Sequence, residues 1–298
     1  LADTELTWEA LPANVQERWQ EVLRDTPVPP ASFGDVTHTV SRELEPEEWA
    51  RIVSGDLVLS GKVLSVANAA VMGLVKPISD VRRAVVHLGS NLTRIIVVAY
   101  FVEGLLGRWE TYPRAHFTFV RHWAASASVL AHQLAGDADS EERETISTAT
   151  LLARLGSLLL GLVWPAPTEE YAEQPDEVTR LSYEMEKWEI SSPALGSRLA
   201  RHWGLPDPLP ELIGQQCRPL LREMPADETS YAPTAIAVSL VLGLGFLHTP
   251  QATVDQLLGH VSYLKLKDNV QRLRLMAACQ AAWADSRTQK ELAVITES

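Results

Sequence analysis

The sequence predicts an all-α protein on three observations. Apolar residues recur at intervals of three and four rather than two, as in Ile52, Val53, Leu57, Leu59, Val63, Leu64 and Ala67, which is the stripe of amphipathic helices. Few segments alternate as a half-buried strand would. Residues 36–40 and 95–99 are the β-branched runs of note, and the second lies inside a longer apolar pattern that suits a buried helix. Proline, glycine and acidic clusters then divide the apolar stripes into three zones.

The first zone runs from about Trp8 to Gly107 and reads as a compact helical lobe. Within it Pro27-Val28-Pro29-Pro30 breaks an opening helix. Glu45-Pro46-Glu47-Glu48 supplies proline and acids at the start of the next helix, where proline lacks only a donor that the first turn cannot use. Lys76-Pro77-Ile78-Ser79-Asp80 leads into a third. The second zone, from about Thr111 to Arg222, carries predicted helices over 119–134, 146–162 and 192–203, separated by acidic loops. The third opens with Pro225-Ala226-Asp227-Glu228, continues through an apolar helix after Pro233 and ends in a polar tail from Asp285. The uncharged stretch 232–247 is interrupted by Gly243 and Gly245 and falls short of the ~20 apolar residues a membrane span needs. It reads as a buried core helix, its glycines permitting close helix packing.

Composition bounds the function. The 298 residues are 46% hydrophobic and 21% charged, the balance of a globular chain with enough mass for one large core or two lobes. A net charge of -12 disfavours binding to phosphate backbones, which requires a surplus of Lys and Arg, so no direct nucleic-acid partner is expected. Arg82, Arg83 and Arg94 fall close together but read as a solvated helix face. Cys217 and Cys279 lack C-x-x-C spacing, which suggests neither a zinc site nor a disulfide and fits a reducing cytoplasm. Residues 1–8 carry acids where a secretion signal would carry basic residues, so a cytoplasmic location is expected. The sequon Asn91-Leu92-Thr93 is taken as chance.

Several catalytic signatures are missing. Gly55-Asp56-Leu57-Val58-Leu59-Ser60-Gly61-Lys62-Val63 mimics a phosphate-binding loop, but it has one residue too many between the glycines and a valine where Mg²⁺ needs a hydroxyl. Gly243 and Gly245 lack the third glycine and preceding strand of a dinucleotide fold. The sequence contains no H-E-x-x-H and no G-x-S-x-G.

One ordered set of residues does point to a family. Residues 52–73 read Ile-Val-Ser-Gly-Asp-Leu-Val-Leu-Ser-Gly-Lys-Val-Leu-Ser-Val-Ala-Asn-Ala-Ala-Val-Met-Gly, followed by Ile78-Ser79 and Ala84-Val85-Val86-His87-Leu88-Gly89. Arg121-His122-Trp123, Thr150-Leu151-Leu152 and Gly196 through Pro206 follow in order. This pattern resembles the HDOD family, helical relatives of the HD phosphohydrolases. The resemblance runs from near Leu11 to near Cys217. It implies a multi-helical HDOD domain over 8–217, with an N-terminal lobe (8–110) packed on a degenerate HD-like core (111–217) and a C-terminal helical extension (225–298) packed on that core.

Active HD enzymes hold one or two metals through a His, a His-Asp dipeptide and a later Asp, lowering the pKa of a bound water so that it attacks a phosphoester. Here the segment that should read Leu-Leu-His-Asp-Ile-Gly-Lys reads Leu151-Leu152-Ala153-Arg154-Leu155-Gly156-Ser157. A methyl and a guanidinium cannot bind a cation. Ser192 stands where family members often have a histidine, and Gln215-Gln216 where a His-His pair often follows. His122 matches the first metal-ligand position but alone holds no catalytic metal, and it reads as a packed histidine. The vestigial pocket is thus His122, Ala153, Arg154 and Ser192, with Arg154 in place of the metal's charge and paired with a carboxylate such as Asp137 or Glu184. Asp56, Lys62, Asn68 and His87 have structural readings: an N-cap, a solvated lysine, a helix end, and a histidine bonding a nearby carbonyl. The functional reading makes them, with Arg121, contacts for a ligand or partner.

Trp19, Trp49, Trp123, Trp188 and Trp203 sit at helical spacing from apolar neighbours and read as core, whereas Trp109 and Trp164 are the surface candidates. The expected function is that of a non-catalytic bacterial signalling module with no metal or cofactor, binding a protein partner or small ligand. Two alternatives remain open at this point: a residual phosphohydrolase using His122, and nucleotide binding without hydrolysis between Arg121 and Arg154.

Overall fold

Capping and burial set each helix of the first lobe. The protein is seen in a computed structural model that describes residues 6–29, 33, 36–37, 44–106, 114–136, 138–163, 170–171, 173–222, 231–248, 278–281 and 285–297. A 3₁₀ turn at Trp8–Ala10 precedes α1 (Ala13–Asp25), which buries Val15, Trp19 and Leu23 at i, i+4 and i+8. Helix α2 (Pro46–Ser54) starts where the proline and acids placed it, with the Glu48 carboxylate accepting from the Glu45 backbone N–H at 3.0 Å. Helix α3 (Leu57–Ala67) follows after two residues, and α4 (Val81–Leu106) starts at Asp80, whose carboxylate accepts from the Arg83 N–H. Both α2 and α3 pack on α4.

The span Val81–Leu105 is long and apolar enough to cross a membrane by composition alone. In the fold it is a core element. Gly89 interrupts it with φ 79°, a left-handed conformation that only glycine adopts without cost. Leu88, Leu92, Ile95, Val97 and Val98 are buried around that kink. Arg94 does not lie on a solvated face. It is buried and paired with Glu144, and it also donates to Asn91 and Ser147, both at 2.7 Å. Asn91, the sequon's asparagine, is therefore an interior residue. Of the other two arginines in that set, Arg82 pairs with Glu47 on the exposed side.

The second group is built on α5 (Arg114–Leu134), α6 (Ser140–Leu152) and α7 (Leu155–Val163). The single helix expected over 146–162 is broken, because Ala153 ends α6 and α7 begins two residues later. Then come α8 (Glu177–Trp188), α9 (Ser192–His202), α10 (Leu209–Gln215) and the single turn α11 (Arg218–Leu221). Helices α5 and α6 lie together, as do α7 with α9 and α9 with α10.

Two further helices close the bundle. Helix α12 (Tyr231–His248) runs along α5, and its Gly243 meets the Ala127 backbone so closely that an added Cβ would stand 2.9 Å from the Ala127 nitrogen. The expected polar tail is instead helix α13 (Ser286–Glu297), which buries Leu292, Val294 and Ile295 and packs on α5 and on the 3₁₀ turn at Ala70–Met72. Its Arg287 occupies the space that the missing Gly89 side chain leaves and donates to the Leu88 carbonyl at 3.3 Å. The five tryptophans expected in the core are all buried. Asp137, Trp109 and Trp164 lie outside the described residues.

Candidate functional site

The break between α6 and α7 creates the site. Ala153 leaves the helix after its N–H bonds the Thr150 carbonyl, and the chain turns so that Arg154 enters the core with 0% exposure. Its guanidinium donates through Nη1 to Glu177 Oε1 at 2.7 Å and through Nη2 to the side-chain oxygen of Gln216. The face of Trp123 lies 4.3 Å away, a cation–π contact that suits a desolvated cation. Trp123 is held by its own bond, donating Nε1–H to the Leu240 carbonyl of α12 at 2.7 Å. Gln216 points its amide nitrogen back at the Ala153 and Ile213 carbonyls, at 2.9 and 2.7 Å. The glutamine thus satisfies both the orphan carbonyl left by the helix break and the arginine that follows it.

Glu177 and two further charged residues come from one face of α8. Arg180, also fully buried, sits between the rings of Tyr171 and Trp123 at 4.7 and 4.8 Å and donates to the Tyr171 and Gln174 carbonyls. Its Nε lies 3.8 Å from Glu177 Oε2, so one carboxylate faces two guanidinium groups. The Cys217 thiol donates to Glu177 Oε1 at 3.3 Å, and burial pushes that thiol well above its ordinary pKa. Glu184, one turn beyond, accepts from the Ser192 N–H and meets the Tyr171 hydroxyl at 2.8 Å. Burial, opposed by the Ser192 amide and reinforced by the Glu177 charge, pushes its carboxyl up to about 7. The Tyr171 hydroxyl also lies 2.8 Å from Ser157 Oγ. The phenolic proton goes to Glu184, and the Ser157 hydroxyl, which carries its own proton, can donate to the phenolic oxygen in return.

The sequence named Arg154 as the stand-in cation and Asp137 or Glu184 as its partner. The carboxylate is Glu177, while Glu184 is engaged with Tyr171 and Ser192. Ala153 and Ser192 do border the cluster and are fully buried. His122 does not join it. Arg121 donates to His122 Nε2 at 2.9 Å, which places the ring's own proton on Nδ1, and burial with the Arg121 charge pushes the imidazole down to about 4. From α5 it is Trp123 and, two turns earlier, His116 that reach the site. His116 Nε2 lies 3.0 Å from the Ser157 carbonyl, and its ring packs against Tyr171 and into the space left by Gly161.

Glu177, Arg180, Gln216 and Tyr171 were not singled out from the sequence. The signal was present. Glu177, Arg180 and Glu184 recur at helical spacing on the same face as Leu181 and Trp188, which places charges inside an apolar stripe.

The polar residues of the family signature sit elsewhere, on α3 and α4. Asp56 caps α3 by accepting from the Leu59 N–H at 2.9 Å and also accepts from the Tyr100 hydroxyl at 2.8 Å; these bonds hold its carboxyl below the usual range. Lys62 is not merely solvated but pairs with Glu103 at 2.5 Å on the exposed surface. Asn68 ends α3 and clamps the following loop, bonding Ile78 through both its amide oxygen and nitrogen. The carbonyl expected for His87 is not found: its Nε2 has no hydrogen-bond partner among the described residues.

A metal of the HD type does not fit this centre. A divalent cation needs deprotonated carboxylates and neutral imidazoles converging on one point. Here the Ala153 methyl and Arg154 guanidinium take the place of the dipeptide, and Glu177 is committed to two arginines. Among the described residues no group of three or more His, Cys, Asp or Glu is arranged to hold a metal ion. A nucleotide does not fit between Arg121 and Arg154 either. The space there is a cavity of about 30 Å³ walled mostly by apolar side chains such as Val102, Phe117 and Leu155, far below the ~300–1,000 Å³ of sites that hold small-molecule ligands.

Comparisons with known proteins agree with this architecture. An HDOD protein from Geobacter sulfurreducens superposes with a TM-score of 0.65 at 15% identity, over 94% of this chain and 98% of that one. A provisionally assigned phosphohydrolase from Shewanella amazonensis gives 0.61 at 20% identity, over 95% and 98%. A provisionally assigned signal transduction protein from Marinobacter aquaeolei gives 0.62 at 15% identity, over 95% of this chain and 66% of that one. At these identities the likeness establishes the fold. No curated protein sequence matches this one. The sequence profile of the HDOD domain matches residues 27–219, which takes in the signature helices, the α6–α7 break and the Gln216 turn. The chain belongs to the HDOD domain family.

Proposed function

We propose that this protein is a non-catalytic regulatory module of bacterial signalling that works by binding a partner protein or small ligand. The observation that carries the reading is the pairing of Arg154 with Glu177 and Gln216 at the position where active relatives of the fold are expected to hold a His-Asp dipeptide. Phosphoester hydrolysis of the HD kind needs a metal-bound water, and a buried guanidinium repels the cation that would supply it. The kinship in fold with a provisionally assigned signal transduction protein supports a signalling role. The absence of C-x-x-C spacing and the two buried thiols support a cytoplasmic setting.

The test is hydrolysis of bis(p-nitrophenyl) phosphate by the purified chain with Mn²⁺ or Mg²⁺. The expected result is a rate equal to the metal-only blank. Turnover above that blank that disappears in Glu177→Gln overturns the reading.

A further inference from the structure

An open cleft of about 190 Å³ lies between the N-terminal residues before α1, the start of α9 and the α10–α11 turn. Thr7, Pro193, Gln215, Cys217, Arg218 and Arg222 are among the residues that line it. Three observations give this cleft a chemistry. In a chain of net charge -12, the charged side chains that line it among the described residues are Arg218 and Arg222, with no carboxylate beside them in that set. Arg218 is exposed and has no ion pair among the described residues, so its donors meet an incoming group without first breaking a bridge. The floor of the cleft is the wall of the arginine cluster: Cys217 lines the cleft and its thiol donates to Glu177, while the adjacent Gln216 holds Arg154.

We propose that this cleft is a binding site for a small oxyanion, a phosphate or carboxylate group on a compact molecule, taken by Arg218 and Arg222 with Gln215 at the rim. Guanidinium groups match oxyanions in geometry as well as charge, since each offers paired N–H donors to two oxygens at once. The cleft is smaller than the ~300–1,000 Å³ of ordinary drug-sized sites, which selects a short ligand over an extended one. The inference rests on the regulatory reading above and gives that reading a ligand class. Its route inward is the Cys217-Glu177-Arg154 contact, so occupancy of the cleft bears on a buried ionic cluster rather than on a reaction.

The experiment is calorimetric titration of the full chain with inorganic phosphate and, separately, with acetate, at constant ionic strength set with NaCl and with EDTA present. Saturable binding of either probe is expected, weakened ~tenfold or more in Arg218→Ala because a charge-assisted bond contributes roughly 1.5–3 kcal/mol. Arg222→Gln is expected to weaken it as well, whereas Arg201→Ala, an exposed change on α9, leaves it unchanged. Preference for phosphate or for acetate identifies which oxyanion the site takes. No saturable binding, or binding that both cleft variants retain, overturns the proposal while leaving the non-catalytic reading intact. Phosphate binding that is missing with EDTA but saturable in a parallel titration with Mn²⁺ and no chelator overturns the cleft proposal and the non-catalytic reading together.

Discussion

Arg154 and Glu177 are coupled by burial as much as by charge. Removing one partner of a buried ion pair strands the other, which costs ~3–5 kcal/mol, whereas replacing both with apolar groups of similar size is often neutral. Arg154→Ala is therefore expected to lose ~3–5 kcal/mol in urea unfolding, and Arg154→Met with Glu177→Leu to recover only part of that loss, because Arg180 then loses the carboxylate it shares. A double variant as unstable as the single one would assign Arg154's role to its packing on Trp123 instead. Glu184 makes a separate prediction. It keeps its proton in the fold up to about pH 7 but releases it near 4.5 when unfolded, so between those values the native state binds more protons. Stability falls as pH rises through that window, by about 3 kcal/mol from this group, with its contribution complete below the window and gone above it. Glu184→Gln, which mimics the neutral acid, is expected to flatten that part of a pH–stability curve; an unchanged slope assigns the dependence to another group. The sequence made Ala153 and Arg154 legible in the place where the resemblance implies a His-Asp pair, since two residue identities suffice for that. It did not make the partner legible, because Glu177 reaches Arg154 across a loop and only the folded chain brings them to 2.7 Å.

At the scale of helices, the site depends on how closely α7 and α9 approach. A Cβ on Gly156 would stand 2.0 Å from the Ser192 carbonyl oxygen and 2.8 Å from the Gly196 nitrogen, both backbone atoms that cannot swing away. Gly156→Ala is expected to destabilise the protein by ~1–3 kcal/mol or more through forced separation of the two helices. Gly61→Ala on the open side of α3, where nothing lies within 4 Å, is expected to stabilise it by ~0.5–1 kcal/mol. Thermal unfolding of the two variants checks the contrast, and equal shifts would contradict the close crossing. Helix identity was legible here because stripes at three and four residues recur through α1 to α4. The α6–α7 break was not, since no proline or glycine stands at Ala153 and Arg154. Its cue is a single arginine inside the apolar run from Leu151 to Leu162. Helix α13 was hidden for a related reason: Arg287, Glu291 and Lys290 give it a polar average, although Leu292 and Ile295 are buried.

Across the whole molecule, one hydrophobic cluster runs from Trp8 to Ile295 and joins the signature helices, the degenerate centre and the C-terminal helices. Helix α12 takes part in the centre through the Leu240 carbonyl that holds Trp123, and α13 docks on the Gly89 kink of α4. The family signature and the arginine cluster are thus separate places in one core, which is why Asp56, Lys62 and Asn68 did not converge on Arg154. On the proposed reading, the buried Arg154 guanidinium stands where a metal would and leaves this centre non-catalytic. The most direct measurement is elemental analysis of the purified chain together with calorimetric titration with Mn²⁺. No stoichiometric metal and no saturable Mn²⁺ uptake are expected; one tightly bound equivalent that is lost in His122→Ala would overturn the non-catalytic reading.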